Sequence, residues 1–148
     1  MRRSLFALTL TLPVLAGPAL ADTVTLTTDR GVTEAMDALA AAVSEAGATV
    51  FARVDHAEGA RSVDMSLPEA QLLVFGNPQL GTQAMQDDIR AGLVLPLRVL
   101  IYDDDGETVI IYEEVDDMFE GLEIDGDAEY LGAIEQALRN LTTTAGGE

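Results

Sequence analysis

The sequence predicts an α+β fold: a single, mainly antiparallel sheet backed by helices, in the order β-α-β-β-α-β-β-α. Three observations carry this expectation. Stretches rich in β-branched and apolar residues come in neighbouring pairs. Segments with apolar residues at helical spacing separate those pairs. One pair is joined by Asp103-Asp104-Asp105-Gly106, a hairpin turn whose glycine is free to take positive φ. Strands joined this closely lie antiparallel, and the helices between pairs then pack on one face.

The elements follow in order. Residues 23–28, "TVTLTT", alternate, with Val24 and Leu26 on one face. Residues 31–46 are helical, because Val32, Met36, Leu39 and Val43 recur at helical spacing and Gly47 is a good stop. Residues 48–56, "ATVFARVDH", return to strand and end on His56. Gln71 to Phe75 is a short apolar strand whose lack of alternation predicts burial on both faces. A middle helix runs roughly from Gln79 to Ala91, and Leu95 to Tyr102 and Thr108 to Tyr112 are two strong strands. The last helix spans Asp127 to Leu141, with Asp127 as N-cap and Leu131, Ile134, Leu138 and Leu141 as its apolar stripe. Residues 142–148 read as a disordered tail.

Four stretches resemble a known family: "VFARVDHAEGA" at 50–60, "LLVFGNPQLGTQAMQ" at 72–86, "AGLVLPLRVLIYDDDG" at 91–106, and the strand that follows. The chain is similar to the domain-of-unknown-function 302 family, most closely its exported branch. The resemblance covers about residues 23–118 and implies a TATA-binding-protein-like fold, a helix-backed antiparallel sheet. It implies no reaction. Intracellular relatives often carry a cysteine directly before the Asn-Pro; here Gly76 stands there, so no thiol role carries over.

The N-terminus reads as a secretory signal peptide, residues 1–21. Arg2 and Arg3 precede an apolar run from Leu5 to Ala16, and Ala19-Leu20-Ala21 places small residues where a signal peptidase reads. The run is too short for a membrane span, which needs about 20 apolar residues. Residues 22–141 then form one domain, expected in the periplasm or outside the cell. The protein has no cysteine, so disulfides, thiol nucleophiles and thiolate metal sites are excluded.

The charge is extreme. The chain has 26 acids, no lysine and a formal net charge of −18. No basic residue stands between Arg98 and Arg139. Such a surface repels nucleic acid and anionic lipid, and salt should relieve its self-repulsion.

Candidate site residues centre on Gly76-Asn77-Pro78. Proline fixes its own φ and pushes Asn77 out of the helical region; asparagine is a favoured N-cap and proline a favoured first helical residue. The triplet therefore turns a strand into a helix, with Gly76 expected to permit the sharp turn. A strand-end loop of this kind can also line a pocket, with free N–H groups that attract anions and the Thr82 hydroxyl nearby. His56, the only histidine, is placed beside this loop as a further ligand-binding candidate. No Lys-Ser or Lys-Thr follows Gly81, so this is no phosphate loop, and no Gly-x-Ser-x-Gly elbow accompanies His56. One histidine without cysteine leaves too few ligands for zinc. The turn at 103–107 fails the calcium-loop pattern, since Tyr112 stands where the closing glutamate belongs. No metal or cofactor is expected.

This poor reactive inventory favours a non-catalytic module that binds a small ligand or an envelope protein. The alternatives are an enzyme using His56 and carboxylates as acid and base, and a structural homodimer built on an exposed sheet edge.

Overall fold

The computed structural model describes residues 22–147. The expected signal peptide, residues 1–21, lies outside the described residues. Five strands form one sheet: β1 (Thr23–Thr28), β2 (Thr49–Asp55), β3 (Ala70–Gly76), β4 (Leu97–Asp104) and β5 (Glu107–Glu113). Their order across the sheet is β1-β5-β4-β3-β2, and every neighbouring pair is antiparallel. The helices are α1 (Val32–Glu45), α2 (His56–Arg61), α3 (Pro78–Asp87), α4 (Val115–Met118) and α5 (Glu129–Gly146), with a 3-10 helix at Ile89–Leu93. The α+β class and the helix-backed antiparallel sheet expected from the sequence are what is found.

The apolar stripes explain the layers. Val32, Met36, Leu39 and Val43 of α1 are buried, as are Leu131, Ile134, Leu138 and Leu141 of α5. Both stripes press on one sheet face through Leu73 and Phe75 of β3, Leu97, Val99 and Ile101 of β4, and Ile110 and Tyr112 of β5. The hairpin between β4 and β5 turns through Asp105 and Gly106, at φ 54° and 95°. The Asp103 carboxylate closes the turn by accepting from the Gly106 N–H at 2.6 Å. Both central residues sit in the left-handed region, the conformation that matches strand twist in a two-residue hairpin.

Five local readings need correction. His56 does not end β2; it begins α2, because the Asp55 carboxylate accepts from the Glu58 N–H at 2.8 Å and so caps a helix there. The middle helix stops at Asp87 and is followed by the 3-10 helix, since Asp88 takes an extended conformation, φ −142° and ψ 114°, that caps the second piece. The last helix is capped at Ala128, not Asp127.

Residues 142–146 continue α5 and are not a frayed tail. Thr142 and Ala145 are fully buried, and the Arg30 guanidinium donates to the carbonyls of Thr144 and Ala145 at 3.0 and 2.8 Å. The Thr28 hydroxyl donates to the Gly146 carbonyl at 2.8 Å. These donors satisfy the last-turn carbonyls that a helix leaves open, and Gly147, at φ 95°, ends it.

The fifth correction concerns β3, which is not buried on both faces. Gln71, Leu73 and Phe75 lie under the helices, whereas Leu72 and Val74 point the other way and are half-exposed.

Candidate functional site

At the top of β3 the chain behaves as its local chemistry dictates. Asn77 is extended at φ −109°, ψ 115°, and its side-chain oxygen accepts from the Gln79 N–H at 2.9 Å. Pro78 is the first helical residue, and the Gly81 N–H donates to the Asn77 carbonyl at 3.0 Å. The turn therefore consumes its own polar groups. With the Gln79 donor taken and no N–H on Pro78, little remains to cradle an anion.

Gly76 is not needed for positive φ, since it is absent from the left-handed residues. A Cβ added there would meet Phe51 and Pro96 only at 3.5 Å, ordinary contact. The missing side chain leaves room instead. Gly81 and Gly92 do likewise: a Cβ at Gly81 would lie 3.6 Å from Leu95, and one at Gly92 would lie 3.4 Å from the Met85 sulfur.

The room these glycines leave belongs to a cavity of about 630 Å³ between α3, α5 and the upper ends of β3 and β4. Phe75 and Leu97 form its sheet wall, and Ile134, Ala137 and Leu141 its α5 wall. Leu80, Met85 and Leu95 come from α3 and the segment after the 3-10 helix. Phe51, the extra residue of a bulge between Val50 and Ala52, stands at the rim and is 59% exposed. Among the described residues, Asn77 and Thr82 supply the only amide and hydroxyl side chains in the lining, and no charged residue takes part. Such a lining can desolvate and enclose an apolar molecule and orient it by one or two hydrogen bonds. It holds no group able to transfer a proton near neutral pH.

Two adjacent carboxylates hold the α3 side of the cavity in place. The buried Asp88 accepts from the Arg90 backbone N–H at 2.9 Å, from the Arg90 guanidinium, and from the Glu123 N–H at 2.9 Å. The guanidinium first, then the two backbone donors, hold its carboxyl well below the usual carboxylate range. Asp87 accepts from the Tyr130 hydroxyl at 2.7 Å. Burial first, and that hydrogen bond second, push the Tyr130 hydroxyl up to about 12. These contacts tie the junction of α3 and the 3-10 helix to the segment before α5 and to α5 itself. Sequence reasoning did not single out Asp88. The available signal was an Asx residue at the break of the middle apolar pattern, with arginine two positions on.

Of the residues proposed from the sequence, Gly76, Asn77, Pro78 and Thr82 all line the cavity. His56 does not, and its expected place beside the loop is corrected by the sheet register. Thr49 pairs with Gly76, but Asp55 pairs with Gln71, so His56 stands at the other end of β3, roughly 17 Å along the strand. It is exposed on the first turn of α2.

Comparison with known proteins agrees with this architecture. The family model described as "Domain of unknown function DUF302" matches residues 24–145. The crystal structure of an uncharacterized conserved DUF302 protein from Bacillus stearothermophilus superposes with a TM-score of 0.76 at 18% identity, over 83% of this chain and 97% of that one. At that identity the likeness concerns the fold. Among curated proteins, a "Fluoride-specific ion channel FluC 1" of Brucella suis is 43% identical over 81 residues, 55% of this chain and 32% of the channel. The protein of the same name from Brucella abortus matches at the same identity over 30% of its length. The chain thus spans about a third of the curated relatives it matches.

Proposed function

This chain belongs to the DUF302 family, and within that family we propose that it is a non-catalytic binding module whose cavity takes a small, uncharged, largely apolar molecule. The observation that carries the proposal is the lining: about 630 Å³ enclosed by apolar side chains, with Asn77 and Thr82 as the only orienting polar ones. That volume lies within the range typical of small-molecule sites, about 300–1,000 Å³. An anionic ligand is disfavoured twice. Among the described residues no cation lines the cavity, and the chain carries a net charge of −18 that repels anions on approach. A cationic ligand would leave its charge unpaired among apolar walls.

The proposal includes export. Residues 1–21 read as a signal peptide, and N-terminal sequencing of the folded protein should find Asp22. Fluoride transport is not part of the proposal. The matched stretch is under a third of each channel's length, and among the described residues no helix is long and apolar enough to cross a membrane.

The test uses the neutral probe N-phenyl-1-naphthylamine, which brightens in apolar surroundings. The wild-type protein should bind it saturably, and Gly81→Leu, which places a side chain where Leu95 bounds the cavity, should weaken binding about tenfold or more. His56→Ala should leave binding unchanged. No saturable binding, or equal binding by Gly81→Leu, would rule the cavity out. Native mass spectrometry of protein taken directly from its own host would then identify the natural occupant.

A further inference from the structure

The cavity is graded in polarity from its floor to its mouth. Phe75, Leu97, Ile134 and Leu141 are buried and make the floor. Phe51 and Thr82 are exposed and Asn77 is half-exposed, so these stand at the mouth. Among the described residues, both polar side chains of the lining are therefore at the open end and none is at the closed end.

The capping bond decides what Asn77 can offer there. An asparagine's oxygen and nitrogen are told apart by their partners. Here the side chain accepts from the Gln79 N–H at 2.9 Å, so the atom turned to the helix is the oxygen Oδ1. The other branch, Nδ2, carries two N–H donors and no acceptor. The backbone adds no second choice: the Asn77 carbonyl accepts from the Gly81 N–H at 3.0 Å, and Pro78 has no N–H to give. Thr82, on the same helix, contributes a hydroxyl that can add one more donor.

We infer that the cavity takes an uncharged, single-headed amphiphile whose head is a carbonyl of the ketone or ester kind. The carbonyl oxygen sits at the mouth and accepts from Asn77 Nδ2, while the apolar body lies on the floor. This rests on the cavity being the binding site, and it adds the chemistry of the head and the direction in which the ligand enters. A carbonyl brings acceptors only, so it matches a side chain left with donors. An amine or amide head would bring N–H groups of its own, and the Asn77 oxygen that could receive them is already engaged by the cap. A pure hydrocarbon would cover Nδ2 without pairing it, which costs binding wherever water is displaced.

Two probes of one shape test this. They are 2-acetylnaphthalene and 2-isopropenylnaphthalene, in which a CH2 group replaces the carbonyl oxygen. Each is titrated against bound N-phenyl-1-naphthylamine, on wild type and on two variants that keep a favoured N-cap but withdraw the amide, Asn77→Asp and Asn77→Ser. Circular dichroism confirms that the variants are folded, and the second serves should the first fail to fold. Both should weaken the ketone about fivefold or more and leave the hydrocarbon within about twofold of wild type. A ketone that binds the variants as it binds wild type overturns the inference, and so do equal losses for ketone and hydrocarbon. In those cases, saturable binding of N-phenyl-1-naphthylamine to wild type would leave the cavity itself standing as the site. If that probe does not bind wild type saturably, both readings fall.

Discussion

At one end of the paired strands β2 and β3, Asn77 caps α3; at the other, Asp55 caps α2. The two devices are chemically alike. Each side-chain oxygen accepts one backbone N–H, from Gln79 at 2.9 Å and from Glu58 at 2.8 Å. Their surroundings differ. Beyond Asn77, α3 and the 3-10 helix are held against α5 by Asp87 and against the segment before α5 by Asp88, and a cavity opens beneath them. Beyond Asp55, α2 is a six-residue helix whose only buried residue is Ala57, and His56 faces solvent. A cap starts a helix in both places. A cavity opens only where the helix it starts is roofed over an incompletely filled core.

The strongest way to break that contrast is to release the roof. Asp88→Asn removes the carboxylate that holds Arg90 and the Glu123 N–H, and should lower the melting temperature and weaken probe binding together. The pH dependence sharpens this. The folded Asp88 carboxyl is held below its ordinary value. The stability it contributes is therefore present above about pH 4 and is lost as pH falls through the folded value. Thermal melts from neutral pH into acid should fall less steeply for Asp88→Asn than for wild type. Equal slopes would mean that Asp88 does not clamp the roof.

The next contrast compares the caps directly. Asn77→Ala and Asp55→Ala should each cost about 1 kcal/mol in denaturant unfolding. Only Asn77→Ala should also reduce probe affinity. If both variants bind like wild type, the Gly-Asn-Pro turn shapes the fold and contributes nothing to recognition.

The smallest effect concerns Tyr130, the second anchor of the roof. Its hydroxyl is pushed up to about 12, against about 10 in an unfolded chain. Its contribution is complete below pH 10 and is lost as pH rises through 12. Tyr130→Phe should remove a shallow loss of stability in that alkaline window and leave acid melts unchanged. An unchanged alkaline slope would separate Tyr130 from the Asp87 contact.

Much of this was legible in the residues alone. The stripes of α1 and α5 are periodic enough that burial could be read directly, and the Asp-Gly hairpin turn and the Asn-Pro helix start follow from backbone preferences that no tertiary contact overrides. The same preferences hid in plain view at Asp55-x-x-Glu58, where a capping pattern was taken for the end of a strand, because β-rich "VFARV" runs directly into it. The middle helix was read too long for a similar reason: the break at Asp88 depends on partners 2 and 35 residues away.

The sequence by itself determined the fold class, the order of the main elements, the acidic surface and the absence of thiol chemistry, since these rest on composition and on patterns within a few residues. Tertiary structure alone decided the rest. It set His56 apart from the Gly-Asn-Pro turn, because strand register fixes which ends meet and register is a property of the sheet. It extended α5 to Gly146, because the donors that complete its last turn, Thr28 and Arg30, are more than a hundred residues distant. It turned three glycines into a cavity, because an empty volume exists only between elements that have already packed. And it left one apolar face of β3 uncovered, where a continuous hydrophobic run had promised burial on both sides, because the long helices α1 and α5 settled on the same face of the sheet.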